Sequence, residues 1–199
     1  MTPRLDGRRV AAVVTHGFEE RELLDPKKAL EDAGARVDIV SPEAGKVRGW
    51  KHHEWAGEVA VDQTLDDADV DEYDALLLPG GVMNPDQLRM DPRAVAFVRA
   101  MFDEGKPIAA ICHGPWTLID AGVAYGLRLT SWPSLKTDLN NAGADWVDEE
   151  VVVDRGVVSS RKPADIPAFN RKMIEEFAEG RHGDERGRRP SRSVEPHVR

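Results

Sequence analysis

Three short runs along the chain are apolar at every position. They are VAAVV at 10–14, ALLL at 75–78 and IAAIC at 108–112. Runs without polar alternation are typical of strands covered on both faces, as in the centre of a parallel sheet. A fourth run, VDIV at 37–40, supplies another strand. The pattern therefore predicts a buried and largely parallel sheet.

Helical patterns lie between these strands. An Asp-Pro pair marks a first helical turn at 25–26 and again at 91–92, and Gly34 ends the first of these helices. Apolar side chains then recur at helical spacing over 95–102 and over 166–177. The resulting order, β-α-β-α repeated, favours an α/β fold.

The segment VVVDRGVVSS at 151–160 predicts an antiparallel hairpin that turns at 154–156. Together with the earlier strands it predicts an open, doubly wound α/β sandwich with a mostly parallel central sheet. Folds of this kind bind ligands outside the carboxyl ends of their strands. Cys112 lies at such an end.

Length and composition predict one domain and a tail. The chain has 199 residues, which is enough for one sizeable core and short for two. We assign residues 1–180 to a single α/β domain. Residues 181–199 contain six Arg against three acidic residues and lack both aromatic residues and a periodic apolar face. We expect this Arg-rich tail to be poorly ordered.

The composition also excludes several classes of function. No run approaches the ~20 apolar residues of a membrane span, and a net charge of −9 argues against nucleic-acid binding, which needs a basic face. The single cysteine cannot form an internal disulfide or a Cys-based zinc cluster. We expect the short apolar run near the N-terminus to be a first strand and not an export signal. We therefore expect a cytoplasmic protein without metal, cofactor, nucleic-acid or membrane partners.

Cys112 is the residue that is best suited to covalent chemistry. The pattern Ala110-x-Cys112-x-Gly114 is similar to a nucleophile elbow with Ala in place of its first Gly. An elbow places the sulfur near the unpaired amides of a helix N-terminus, which favour the thiolate and lower the cysteine pKa. A free cysteine at the end of a buried strand is also common as a small packing residue. The residues alone leave both interpretations open.

Two further motifs follow the ends of predicted strands. Gly80-Gly81 allows backbone amides to approach a ligand, as an oxyanion site requires, although the same pair also forms ordinary tight turns. Glu19 and Glu22 are one helical turn apart and can face one cleft, although acidic residues in a first turn also serve the helix dipole. A carboxyl beside a thiolate should keep its proton and could act as general acid or base.

The motifs resemble those of the PfpI family, within the ThiJ/PfpI superfamily, which includes general stress proteins, glyoxalase III-type enzymes and proposed protein deglycases. The resemblance covers roughly residues 8–178. It is carried by AAICHGPW, LLLPGG, FEERE, TSWPSLKTDLNNAGADWVDEEVVVD and SSRKPADIPAFNR.

The resemblance implies a flavodoxin-like sandwich and a site with assigned roles. Cys112 would be the nucleophile with His113 beside it, and Glu22 would be the acid that hydrogen-bonds the sulfur, with Glu19 close by. Gly80 and Gly81 would supply oxyanion amides. Because sequence neighbours rarely face one another on a helix, contact between Cys112 and His113 needs the distortion of an elbow or a partner subunit.

The resemblance further implies a homodimer or larger homo-oligomer, in which an acid from a neighbouring subunit approaches the Cys-His pair. Asp86 occupies the matching position. Two departures from the family pattern bear on the cleft: His16 stands where acidic residues are expected, and Trp116 stands where many members have Gln. We expect both to line the cleft and to affect the choice of substrate.

Three other side chains have alternative explanations. His52 and His53 are adjacent, splay apart in regular structure and lack a third ligand nearby in sequence, so we expect a surface loop and not a metal site. Trp132 beside a turn could line the cleft, although packing is the more common role of such a residue.

Three functions remain open from the sequence. The first is a cofactor-independent stress-response enzyme that uses a Cys112 thiolate on reactive carbonyls or early glycated amines and thiols. The second is an intracellular cysteine peptidase. The third is a redox-sensing or chaperone stress protein whose cysteine is oxidised without turnover. A class I glutamine amidotransferase is excluded because residues 145–180 lack its downstream His-x-Glu.

Overall fold

Residues 3–182, the part of the chain that the computed structural model describes, contain twelve strands and six α-helices. The strands are β1 Arg9–Val13, β2 Phe18–Glu19, β3 Arg36–Ser41, β4 Lys46–Lys51, β5 Glu54–Ala60, β6 Gln63–Thr64, β7 Ala75–Leu78, β8 Ile108–Ile111, β9 Arg128–Leu129, β10 Asp145–Trp146, β11 Val151–Asp154 and β12 Val157–Ser160. The α-helices are α1 Glu20–Asp32, α2 Met83–Leu88, α3 Pro92–Asp103, α4 Pro115–Asp120, α5 Lys136–Asn141 and α6 Ile166–Glu179.

A seven-stranded sheet in the order β11-β12-β8-β7-β1-β3-β6 forms the centre of the protein. Within it, β11 alone runs antiparallel to its neighbour, and the remaining pairs are parallel. The five strands β3-β1-β7-β8-β12 have the 2-1-3-4-5 order of flavodoxin-like folds, in which ligands bind near the point where the order reverses. The predicted doubly wound sandwich and its terminal hairpin are confirmed.

Helices cover both faces of the sheet because its central strands are apolar on both sides. One core contains Phe97 of α3, Leu118 of α4 and Leu139 of α5. The other contains Leu30 of α1 and Phe169 of α6. Each fully buried side chain of this size contributes about 1.5–3 kcal/mol to folding. The result is a rigid platform whose strand ends β1, β7 and β8 converge at one edge.

The prediction for the first helix is wrong at its start. The helix α1 begins at Glu20, so Pro26 lies inside it and not in its first turn. Proline removes only one backbone donor there, and its ring is buried on the same face as Leu23 and Leu30. The predicted end of α1 is confirmed, since Gly34 adopts φ +107° directly after the last turn of the helix.

A second, three-stranded sheet was not predicted. It has the order β2-β4-β5, and β4 and β5 form an antiparallel hairpin. Residues Phe18 and Glu19 of β2 pair with Gly49 and Trp50 of β4. The pairing fixes the hairpin beside the segment that joins β1 to α1.

The described chain remains packed slightly beyond the predicted domain end at residue 180. The backbone N–H of His182 donates to the Gly105 carbonyl at 2.7 Å. The rest of the Arg-rich tail, for which we expect poor order, lies outside the described residues. Among residues 3–182, no helix combines the length and apolar character needed to cross a membrane.

Candidate active site

Cys112 lies on a sharp turn between β8 and α4. Its φ of +61° is in the left-handed region, which non-glycine residues adopt only under strain. Its N–H donates to the Ser160 carbonyl at 2.9 Å, and its carbonyl accepts from the Trp132 N–H at 3.0 Å. A Cβ at Gly114 would lie 3.0 Å from the Ile111 carbonyl oxygen and would meet the Leu78 carbonyl oxygen more closely still. The geometry is that of a nucleophile elbow.

Glu22 extends from α1 towards the sulfur and is fully buried. The Gly80 N–H donates to its Oε2 at 3.0 Å. Burial raises the pKa of this carboxyl to about 8, and the charge of Glu19 adds to the rise, while the Cys112 side chain and the Gly80 and Gly81 amides partly offset it. The carboxyl is therefore largely protonated at pH 7.

The pKa of Cys112 is also raised, well above its ordinary value. Burial is the largest cause, and the charge of the Glu22 carboxylate adds to it. The backbone amides of Gly81 and His113 lower the pKa without compensating for these effects. The expectation of a standing thiolate is wrong for the isolated chain, because desolvation outweighs the amides at this helix end.

The two predicted oxyanion amides both interact with Glu22, and only that of Gly81 also faces Cys112. The Gly80 amide is engaged by Glu22, so its expected role towards a reacting oxygen is not supported. The Gly81 amide faces the sulfur together with the His113 amide, which the sequence did not indicate. Gly81 has φ +78°, and a Cβ there would meet the Glu19 nitrogen at 2.7 Å. Only glycine fits this approach.

His113 contacts the sulfur directly, since its Nδ1 lies 3.2 Å from Cys112 Sγ. The elbow supplies the distortion that such contact between neighbours needs. Burial lowers the pKa of the imidazole to about 4, so the ring is neutral at pH 7. The direction of this hydrogen bond depends on the tautomer: with the ring proton on Nδ1 the ring donates to the sulfur, and with the proton on Nε2 the ring accepts from the thiol.

A cavity of about 410 Å³ opens above these groups. Most residues of the predicted site line this cavity, namely Glu19, Glu22, Gly81, Cys112 and His113. Trp132 lines it as well. Burial raises the pKa of Glu19, and its neighbour His52 partly opposes the rise. The cavity thus holds one sulfur, two carboxyl groups and a neutral imidazole.

Three other predicted residues do not line this cavity. His16 is exposed, and its Nδ1 accepts from the Arg48 N–H at 3.1 Å. Trp116 packs its ring against His113 from outside the cavity. Asp86 lies on α2, is half-exposed, and forms a 3.3 Å ion pair with Arg89. The family pattern gave these positions without the direction of their side chains, and their expected roles at the site stay predictions.

The tip of the hairpin β4–β5 contributes residues that the sequence did not indicate. Trp50, His52 and His53 line the cavity, as do Val82 and Pro163. His52 adopts φ +55°, and its carbonyl accepts from Trp50 Nε1 at 3.0 Å, which fixes the tip. Two tryptophans flanking a polar turn, as in WKHHEW, are the signal that could have indicated this hairpin.

The chain is similar to known proteins over most of its length. The model of the DJ-1/PfpI family matches residues 8–176. General stress protein 18 of Bacillus subtilis (strain 168) is 45% identical over 169 residues, which are 84% of this chain and 96% of that protein. A deglycase of Pyrococcus horikoshii is 46% identical over 166 residues, which are 83% of this chain and 97% of that protein.

A solved structure gives the same result at the level of the fold. A two-domain protein of Anabaena variabilis, with a DJ-1/ThiJ/PfpI-like and a ferritin-like domain, superimposes with a TM-score of 0.81 at 33% identity. The superposition covers 85% of this chain and 50% of the two-domain chain.

Proposed function

The chain belongs to the DJ-1/PfpI family, and from that premise we propose that it is a stress-response enzyme that uses Cys112 on reactive carbonyls. Glyoxalase III-type conversion of small dicarbonyls and removal of early glycation adducts are the two forms of this chemistry. Relatives named as a general stress protein and as a deglycase support the proposal. The observation that carries it is the convergence of Cys112, Glu22 and His113 on one cavity.

The first step is the addition of sulfur to an aldehyde. In the fraction of molecules in which Glu22 is ionised, Cys112 Sγ forms a bond to the carbonyl carbon, the carbonyl π electrons move to oxygen, and the thiol proton passes to the Glu22 carboxylate, while His113 Nδ1–H donates to the sulfur. The amides of Gly81 and His113 stabilise the oxyanion. Glu22, now protonated, then protonates that oxygen and yields a neutral hemithioacetal. A carboxyl with a pKa of about 8 accepts and returns a proton near neutral pH more readily than an ordinary glutamate.

The second step depends on the substrate. For methylglyoxal, Glu19 or Glu22 removes the hydrogen of the hemithioacetal carbon as a proton, and reprotonation at the neighbouring carbon gives a thioester of lactate. Water then hydrolyses the thioester and restores the thiol. For an early glycation adduct, the C–N or C–S bond of the hemiaminal or hemithioacetal first breaks, which releases the amine or thiol and the free aldehyde, and the sulfur of Cys112 then adds to that aldehyde as in the first step.

Partners and assembly follow from the same proposal. We propose a small carbonyl compound or a glycated group as substrate, no cofactor, and a homodimer or larger homo-oligomer. Asp86, half-exposed on α2, is available to meet a neighbouring subunit.

Methylglyoxal consumption and lactate formation test the proposal. Wild-type protein is compared with Cys112→Ala, Glu22→Gln and a surface control, Lys28→Ala. We expect turnover in the wild type and the control, none in Cys112→Ala, and a loss of at least about 100-fold in Glu22→Gln. Full activity in Cys112→Ala would refute the proposal. Cleavage of fluorogenic peptides without methylglyoxal turnover would favour the peptidase instead.

A further inference from the structure

Trp116 contacts His113 but lies outside the cavity. It is the second residue of α4, and its ring meets the imidazole edge-on, with centroids 5.1 Å apart and planes at 62°. Trp132 stacks on the same imidazole at 6.1 Å and 23°. The two indoles therefore contact the imidazole in different orientations, and only Trp132 also lines the cavity.

Two polar partners fix Trp116 itself. Its Nε1 donates to Asp138 Oδ2 of α5 at 2.8 Å. The guanidinium carbon of Arg89, at the end of α2, lies 4.7 Å from the centroid of its ring. Arg89 is in turn paired with Asp86 at 3.3 Å. Three short helices thus converge on this indole.

Such a support is needed because the histidine torsion at the ring is broad. The rotation of an imidazole about its Cβ–Cγ bond has no sharp minima, so packing must set it. A single 3.2 Å contact between sulfur and Nδ1 defines a point of the ring and not its plane. If the edge contact with Trp116 is removed, the ring gains freedom to turn Nδ1 away from the thiol.

We propose that Trp116, held by Asp138 and Arg89, is a positioning residue that keeps His113 Nδ1 against the Cys112 thiol. The proposal rests on the proposed function for its kinetic consequence, but the position of the ring is measurable without turnover. Because Trp116 does not line the cavity, its effect on the reaction must pass through His113.

Kinetics and nitrogen NMR of the His113 ring test this in the full-length protein. The variants are Trp116→Ala, Trp116→Phe and Arg89→Ala. Arg99→Ala is the matched control, since Arg99 is also a helix arginine paired with an aspartate, Asp103, and does not contact Trp116. The substrate probe is methylglyoxal, and the thiol probe is iodoacetamide.

We expect Trp116→Ala to lower kcat about 10- to 100-fold with KM changed less than about two-fold, as for a misplaced catalytic group. Trp116→Phe should restore most of kcat, because it keeps an aromatic edge. Arg89→Ala should lower kcat about two- to five-fold. The His113 nitrogen shifts should change in Trp116→Ala, and Arg99→Ala should match the wild type in every readout.

The outcomes separate this proposal from the function. If the wild type lacks turnover but the ring signals and the alkylation rate of Cys112 change in Trp116→Ala, the positioning role holds and the carbonyl chemistry fails. Unchanged ring signals and alkylation in Trp116→Ala would overturn the positioning role. If Trp116→Ala does not fold, the same comparison is decided by Trp116→Phe and Arg89→Ala, where wild-type signals in both would overturn it.

Discussion

The cavity is built from two regions of opposite character. The elbow around Cys112 stands on buried parallel strands, where Gly80, Gly81 and Gly114 leave no space for a side chain. The tip of the hairpin β4–β5 is exposed, and β4 is joined to the first loop by its short pairing with β2. The comparison indicates that the chemistry depends on close packing around Cys112. Access of the substrate and selection among substrates depend on the surface hairpin, whose residues can change with little loss of stability.

A methyl group at Gly80 should break the elbow completely. Its Cβ would overlap Glu22 Oε2 and lie 2.7 Å from Cys112 Cβ. We expect Gly80→Ala to lose at least about 100-fold in turnover and about 2–4 kcal/mol in the free energy of unfolding, as overpacked or strained sites do. Turnover assays and urea unfolding measure both effects.

The matched change in the hairpin is Gly57→Ala. The nearest atom to a Cβ at Gly57 is Glu20 Oε1, at 3.7 Å, which is an ordinary contact. We expect stability within about 1 kcal/mol of the wild type. Equal damage by the two alanines would contradict the contrast between the regions.

The buried carboxyl of Glu22 should lower the free energy of unfolding by an amount that grows as the pH rises. The pKa of Glu22 is raised from 4.5 to about 8, so the folded chain keeps a proton that the unfolded chain releases above pH 4.5. The stability of the wild type therefore falls as the pH rises from 4.5 to about 8. At 1.4 kcal/mol per pH unit, Glu22→Gln should gain about 3 kcal/mol on the wild type between pH 4.5 and 7.

Urea unfolding at several pH values measures this difference. The hairpin control is Glu58→Gln, which removes an exposed 3.4 Å ion pair with Lys46. It should change stability by less than about 1 kcal/mol. A Glu22→Gln difference that is constant with pH would show that the carboxyl is not held protonated by the fold.

A change at the hairpin tip should have the smallest effect. His52 lines the cavity from the exposed side and contacts neither the sulfur nor Glu22 through any hydrogen bond that we observe. We expect His52→Ala to raise KM about two- to ten-fold, with the alkylation rate of Cys112 within about two-fold of the wild type. Steady-state kinetics and iodoacetamide labelling test this. A large loss of kcat would show that His52 takes part in the chemical step.

The same contrast explains what the sequence could predict. The central strands are apolar on both faces, so 10–14, 75–78 and 108–112 predict the sheet, and Cys112 falls at its carboxyl edge. Exposed and buried positions alternate in β4 only over 46–49, and β5 has no buried position, so nothing in their pattern indicates the pairing of β2 with β4. Long-range pairing of short strands has no local signal.

The direction in which side chains point was the second feature that the sequence could not predict. The resemblance placed Trp116 and His16 near the cleft, but their orientation depends on Asp138 and Arg48, which are distant in sequence. The pattern Gly80-Gly81 predicted accessible amides, but not that Glu22 takes one of them. The ionisation of Cys112 depends on burial by several elements, which a helix-dipole argument alone underestimates.

The central claim is that Cys112 and Glu22 titrate as a pair in which the carboxyl accepts the thiol proton. The rate of Cys112 alkylation by iodoacetamide between pH 5 and 10 tests it most directly. We predict that the wild-type rate rises through about pH 8, as the pair loses its first proton. In Glu22→Gln the rise should move to higher pH, because burial still raises the pKa of the thiol and no carboxylate accepts its proton. A wild-type rate already constant above pH 6, or identical profiles in the two proteins, would contradict the account.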